Sequence, residues 1–473
     1  MTCLVNTLSK NSGRFALALA ALSLSLTSAC GSSDDDGMPD AMVDAAPDAT
    51  PDATPDATPD ATPDAMPMGC TEGCEIVEIA LGSVHSCARR ENGEVLCWGG
   101  NEFGQLGDGR TRHVGGDCTP AGAVDPRDCS GVPVTVRDIT ATALSARGGA
   151  SSCAKLADDT LSCWGLEALP PMGGDRPGKR FVAESITGFA GVTTFSDNRA
   201  VQCAAVSGGG LICRGNNDSG QLGLGDTTER YEPEAAMGLS AVDEVSVAAG
   251  GSQLTCAREG ARIFCAGSNR GAALGDGVAS HSVCGDSLNP YDCSPTFVEV
   301  ARDAASAAPV QISVGAGFAC ARLDSGAVEC WGTNSSGQMG MDPGMVSQSD
   351  SPVIVAGLGM VVDIAAGTRH VCSLDADGNV SCWGGNEEGQ LGDGSLDHLE
   401  ECMPGSALVD CSSTPVSVTL PASAIAIESG LEHSCALLMS GEVYCWGYND
   451  QRQLGDGTRE RQASPVQVMG LES

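Results

Sequence analysis

The sequence predicts an all-β domain built from seven like units closed into a ring, and three observations carry that expectation. A pair of cysteines about ten residues apart, split by a turn, recurs seven times along 473 residues. Apolar residues at helical spacing are scarce after residue 70, where short apolar strands and turn residues dominate. A Pro-Val strand accompanies most units (Val132 to Val136, Ser351 to Val355, Thr414 to Val418), and one orphan copy, Ser464 to Val468, ends the chain. The economical closure has that last strand completing the first unit, which removes an exposed sheet edge.

The cysteine pairs are Cys87 with Cys97, Cys153 with Cys163, Cys203 with Cys213, Cys256 with Cys265, Cys320 with Cys330, Cys372 with Cys382 and Cys435 with Cys445. Their first members step by 66, 50, 53, 64, 52 and 63 residues, so units one, four and six carry insertions. Each pair brackets a hairpin. Between Cys87 and Cys97 the midpoint is Asn92, followed by Gly93, which suits a three-residue loop with glycine in the left-handed region. The fourth pair is one residue closer and turns at Gly260-Ala261, a two-residue loop that keeps the cysteines opposed. Seven cross-strand disulfides are the expectation, each worth about 3 kcal/mol at most by chain entropy. Zinc is the rival reading. It fits poorly, because this spacing is not that of zinc ligands and no unit adds a consistent histidine.

After the second cysteine comes Trp-Gly and then Asn-x-x-Gly-Gln-Leu-Gly, as at Trp98 to Gly107, Trp383 to Gly392 and Trp446 to Gly455. In this order of strand, hairpin, Trp-Gly and Gly-Gln-Leu-Gly the chain resembles the regulator of chromosome condensation repeat family, from about Glu75 to Val468. The resemblance implies a seven-bladed β-propeller. The cysteines are additional to the pattern of intracellular members and point to an oxidising compartment. Trp98, Trp331, Trp383 and Trp446 recur at one position and are expected to fill equivalent core sites.

Departures from the repeat are where a partner is expected to bind. The inserts, Arg110 to Gly131, Val278 to Ser294 and Ser395 to Ser413, hold their own cysteine pairs: Cys118 with Cys129, Cys284 with Cys293 and Cys402 with Cys411. A histidine precedes each pair: His113, His281 and His398. Polar loop residues are the favoured reading of these three, and a three-histidine metal site is the sharper alternative. His85, His370 and His433 stand just before hairpin cysteines and read as repeat residues. The second unit lacks Gly-Gln-Leu-Gly after Trp164-Gly165 and instead carries Arg176, Lys179 and Arg180, the one basic cluster in an acidic domain.

Lys10 and Arg14 precede an apolar run from Phe15 to Leu26, too short to span a bilayer, and then Cys30. Residues 1–29 therefore read as a lipoprotein-type signal with Cys30 as the lipidated residue, although Thr27 stands where leucine is usual. Plain secretion by cleavage near Ala29 is the alternative. Residues 30–69, with TPDATPDATPDATPDA at their centre, read as a disordered polyproline-II tether reaching as far as ~100 Å. Cys70 and Cys74 are expected to form a small local disulfide where it joins the propeller, residues 70–473.

A net charge of −36 excludes an electrostatic footprint for nucleic acid. No nucleophile elbow or phosphate-cradling loop is present, and the recurring Gly-Asp-Gly at Gly107 to Gly109, Gly275 to Gly277, Gly392 to Gly394 and Gly455 to Gly457 reads as turn chemistry. These features favour a monomeric, non-catalytic scaffold in the cell envelope, held to the membrane by lipid alone, with no cofactor and no metal. Its expected partner is a protein or a glycan. An inhibitor of an extracellular enzyme and an envelope polymer-degrading enzyme are the alternatives.

Overall fold

The computed structural model describes residues 73–119, 127–147, 149–166, 178–285, 289–398, 402 and 409–471. Cys30, Cys70, Arg176, the signal and the tether lie outside these residues, and with them the expected pairing of Cys70 with Cys74.

Seven antiparallel sheets follow one another along the chain, six of four strands and one of five. The fold is a seven-bladed β-propeller. Blade 1 runs from the axis outward as β1 (Ile76–Leu81), β2 (His85–Arg90), β3 (Val95–Gly100) and β4 (Cys129–Thr135). The fifth strand of blade 4 is a short addition, Ser282–Cys284, paired to the outer strand Tyr291–Glu299.

The cysteine hairpins set the register. In blade 1, Cys87 stands directly opposite Cys97 across β2 and β3. The same facing pair recurs in blades 2 to 7: Cys153 with Cys163, Cys203 with Cys213, Cys256 with Cys265, Cys320 with Cys330, Cys372 with Cys382 and Cys435 with Cys445. All seven pairs form disulfides within their own blades, as their spacing predicts, at one shared Cα–Cα separation of 4.1 Å. Gly93 has φ +86° and donates its N–H to the Arg90 carbonyl, closing the three-residue loop. In blade 4, Glu259 pairs with Arg262 across the two-residue loop Gly260-Ala261. The inserts close their own disulfides, Cys118 to Cys129, Cys284 to Cys293 and Cys402 to Cys411, at wider Cα separations of 5.9, 5.9 and 6.2 Å.

Ring closure differs from the sequence expectation. The last strand, Gln462–Gln467, pairs with Val443–Gly447, so it belongs to blade 7 and not to blade 1. The reason is local: each Pro-Val strand folds back onto the Cys-Trp-Gly strand just before it, as Val466 does onto Cys445. Blade 1 needs no borrowed strand. The ring closes by packing alone, with Ile76, Leu81 and Trp98 sharing one core with Leu437, Val443 and Leu454.

The tryptophans explain that packing. All five are fully buried, and each indole N–H donates to a backbone carbonyl of the preceding blade: Trp98 to Gln453, Trp164 to Gln105, Trp331 to Ala273, Trp383 to Gln338 and Trp446 to Gln390, at 2.8–3.2 Å. Gly392 shows why glycine ends Gly-Gln-Leu-Gly. Its φ is +71°, and a Cβ there would lie 2.6 Å from the Trp446 ring.

Innermost strands are sheet edges, and side chains of the preceding blade satisfy them. The N–H of Leu144 donates to Glu78 at 3.0 Å, that of Val247 to Ser196 at 3.0 Å and that of Ile312 to Glu244 at 3.1 Å.

Candidate functional site on the insert face

Antiparallel blades place their connections alternately on two faces. The turn between first and second strands meets the start of the third-to-fourth connection, as when Gly100 donates its N–H to the Val84 carbonyl and Gly385 to that of Arg369. All three inserts are third-to-fourth connections, so they share one face. The cysteine hairpins and blade-to-blade links lie on the other, where the N–H of Asn92 meets the Gly73 carbonyl and that of Ala141 meets Gly93.

Each insert histidine sits between two aspartates of its own blade. His113 Nδ1 lies 2.7 Å from Asp128 and Nε2 3.0 Å from Asp108. His281 repeats this with Asp292 at 3.1 Å and Asp276 at 2.7 Å, and His398 with Asp410 at 2.9 Å and Asp393 at 3.0 Å. The histidine backbone N–H also donates to the same Asp128, Asp292 or Asp410 at 2.6–2.7 Å. An asparagine completes the set: Asn101, Asn269 and Asn386 donate Nδ2 to those aspartates. The three imidazoles are thus each engaged by carboxylates of their own blade. Each imidazole is used up within its blade, and among the described residues no group of histidine, cysteine or acid is arranged to hold a metal.

Burial alone would push the His113 imidazole down, but the hydrogen bonds it donates to Asp108 and Asp128 and the charges of both carboxylates raise it to about 9. His281 and His398 are raised by the same balance. The other three histidines behave oppositely. His85, His370 and His433 are fully buried, and burial takes each down to about 3. They tie neighbouring blades: His85 to Ser152 at 2.6 Å, His370 to Ser434 at 2.9 Å and His433 to Ser86 at 3.0 Å. Because Ser86 donates its hydroxyl to the Gln453 carbonyl, its oxygen is left to accept from His433 Nε2.

Lys179 and Arg180 of the blade 2 basic cluster stand beside the turn of blade 1 that precedes the first insert. Lys179 donates to the Glu102 carbonyl at 2.9 Å and stands 5.1 Å over the Phe103 ring, while Arg180 pairs with Glu184 at 3.1 Å. Arg127 of the insert lies 3.5 Å from the Glu102 carboxylate. A cleft of about 390 Å³ beside it is lined by Arg112, Arg127, Gly115 and Gly116 together with Asp117 and Asp128. From blade 7, Arg459 donates to the Cys118 carbonyl at 3.2 Å. Thr119 hydrogen bonds hold the Asp117 carboxyl low, and the charges of Arg459 and Arg112 add to this. Cations of blades 1 and 7 thus meet at the first insert, and Lys179 of blade 2 stands beside the turn that precedes it.

Sequence reasoning missed the clamp aspartates and Arg147. The aspartates carried a signal, since Asp108, Asp276 and Asp393 each precede their histidine by five residues and Asp128, Asp292 and Asp410 each immediately precede a cysteine. Arg147 carried none. It reaches from blade 2 to Ser246 of blade 4 and Ser313 of blade 5, both at 3.1 Å, across a central cavity of about 200 Å³. Glu428 lines that cavity, and burial raises its carboxyl to about 7 despite Arg147. Asp197, fully enclosed between blades 2 and 3, is likewise raised to about 7 by burial.

The RCC1-like domain profile matches residues 210–473, and the regulator of chromosome condensation (RCC1) repeat profile matches residues 76–105. The chain belongs to the RCC1 repeat family. It is 27% identical over 389 residues to the E3 ubiquitin-protein ligase HERC2 of Homo sapiens, a match covering 80% of this chain and 7% of the ligase. It is 27% identical over 393 residues to the ultraviolet-B receptor UVR8 of Arabidopsis thaliana, covering 81% of this chain and 79% of the receptor. Prp20p from Saccharomyces cerevisiae, whose structure was described with its binding to Gsp1p and histones, superimposes with a TM-score of 0.60 at 18% identity. That superposition covers 79% of this chain and 85% of Prp20p, and it speaks for the fold alone.

Proposed function

We propose that this protein is a non-catalytic binding scaffold of the cell envelope, and that the insert face engages a protein or glycan partner. One observation carries the reading: three loops that depart from the repeat stand on the same face, each closed by a disulfide and an Asp–His–Asp clamp. A rigid protrusion loses little conformational freedom on binding, so its contacts convert to affinity more completely than those of a loose loop. The cations around the first insert favour an acidic partner surface, a preference that stands out in a chain of net charge −36. Display by a lipid on Cys30 through the tether at residues 30–69 belongs to the same proposal.

The test is retention of a partner from envelope extract by the full chain. The parent is expected to retain a stoichiometric protein or glycan, and variants with shortened inserts are expected to lose it. Turnover of an envelope polymer without retention would favour an enzyme, and potent loss of an extracellular hydrolase activity would favour an inhibitor. Cys30→Ser is expected to move the protein from membranes to the soluble fraction, and an already soluble parent would remove the lipid anchor from the proposal.

A further inference from the structure

We propose that the three Asp–His–Asp clamps are proton-dependent latches, each holding its insert loop to its blade only while the imidazole carries both of its protons. The inference stands on geometry and does not depend on the nature of the partner. In every clamp both ring nitrogens face carboxylate oxygens, at 2.7 and 3.0 Å for His113, 3.1 and 2.7 Å for His281, and 2.9 and 3.0 Å for His398. Ionised carboxylates only accept, and a neutral imidazole has a single N–H. Removing one proton therefore leaves a nitrogen lone pair against a carboxylate in a site shielded from water. His113 is fully shielded, and the side chains of His281 and His398 are about nine-tenths so.

The groups around each ring agree with this. Asp108 and Asp128 face His113 from the two ends of the insert, with Arg110 3.8 Å from Asp108 and Asn101 donating to Asp128. Asp276 and Asp292, then Asp393 and Asp410, stand in the same places around the other two rings. The clamp joins the Gly-Asp-Gly turn to the residue before the outer cysteine. It is thus a polar link between the two ends of each insert, beside the disulfide and the asparagine and backbone bonds to the same aspartates. For a histidine raised in the folded state, the contribution is complete below the unfolded value near 6.5 and is lost as pH rises through about 9. Across that window the ratio of latched to released first insert should fall by as much as ~300-fold.

The six histidines make imidazole nuclear magnetic resonance of the full chain a direct test. At pH 7 His113 should show two N–H groups and should lose one as the pH rises through about 9, and His281 and His398 should each lose one above the ordinary imidazole range. Hydrogen exchange of residues 110–119, corrected for its intrinsic pH dependence, should rise more than about tenfold over the same range. Exchange in β2 and β3 should stay unchanged. Asp108→Asn should move both transitions of the first insert to lower pH and leave the other two alone. A single N–H on His113 at pH 7 would overturn the latch, and so would an insert equally protected at pH 7 and pH 10. Since the parent titration suffices, misfolding of a variant would not decide the matter.

Discussion

An indole N–H enclosed between two blades has to find an acceptor, and each tryptophan finds one on the neighbouring blade. Trp446→Ala removes both the buried ring and that bond, and should lower unfolding free energy by about 3–5 kcal/mol in a denaturant melt. Gly392→Ala pushes a methyl group toward the same ring from a left-handed backbone position and should cost about 1–3 kcal/mol. A loss below ~1 kcal/mol at both positions would mean that the indole is not the inter-blade lock. Titration adds a further residue-scale prediction. Three histidines lowered to about 3 favour the fold above 6.5 and withdraw that support as pH falls toward 3. Asp197 and Glu428, raised to about 7, favour it in acid and withdraw support as pH rises through 7, and the His113 clamp follows toward 9. The melting temperature should therefore peak near neutrality and fall on both sides. A profile flat from pH 5 to 9 would contradict these assignments.

Hairpins and inserts use the same bond for different ends. Replacing Cys372 and Cys382 with serine frees a strand pair at the core of blade 6 and should destabilise the protein by about 2–3 kcal/mol. Replacing Cys402 and Cys411 should leave the main denaturant transition nearly in place and raise exchange only around the third insert. Equal losses from both replacements would show that the inserts are part of the folding core. The hairpins were legible because register depends on local turn chemistry: Gly93 and Gly260 each set a loop length that keeps its cysteines opposed, Cys87 to Cys97 and Cys256 to Cys265. The placement of the last strand was not, since a Pro-Val strand reads alike whether it opens one unit or closes another. Only the pairing of Cys445 with Val466 decides it. Likewise Asp108 reads as a turn residue until His113 is seen across from it. Arg147 is silent in sequence because its serines lie about 100 and 166 residues away, a proximity made by the ring.

At the scale of the whole molecule, the propeller separates the point of chain entry from the insert face. Gly73 meets the hairpin face beside Asn92, whereas the three inserts stand on the opposite face. The chain therefore enters the ring on the side away from the inserts. Reversing Lys179 and Arg180 to glutamate should slow partner association, more strongly at low ionic strength, because surface cations act mainly through steering. The most direct test of a recognition face is a hydrogen-exchange footprint of the full chain with and without its retained partner. Protection is predicted at residues 110–119, 278–285 and 395–398, with the hairpin turns around Asn92 and Gly378 unchanged. Protection confined to those turns, or the absence of any retained partner, would contradict the assignment of the insert face.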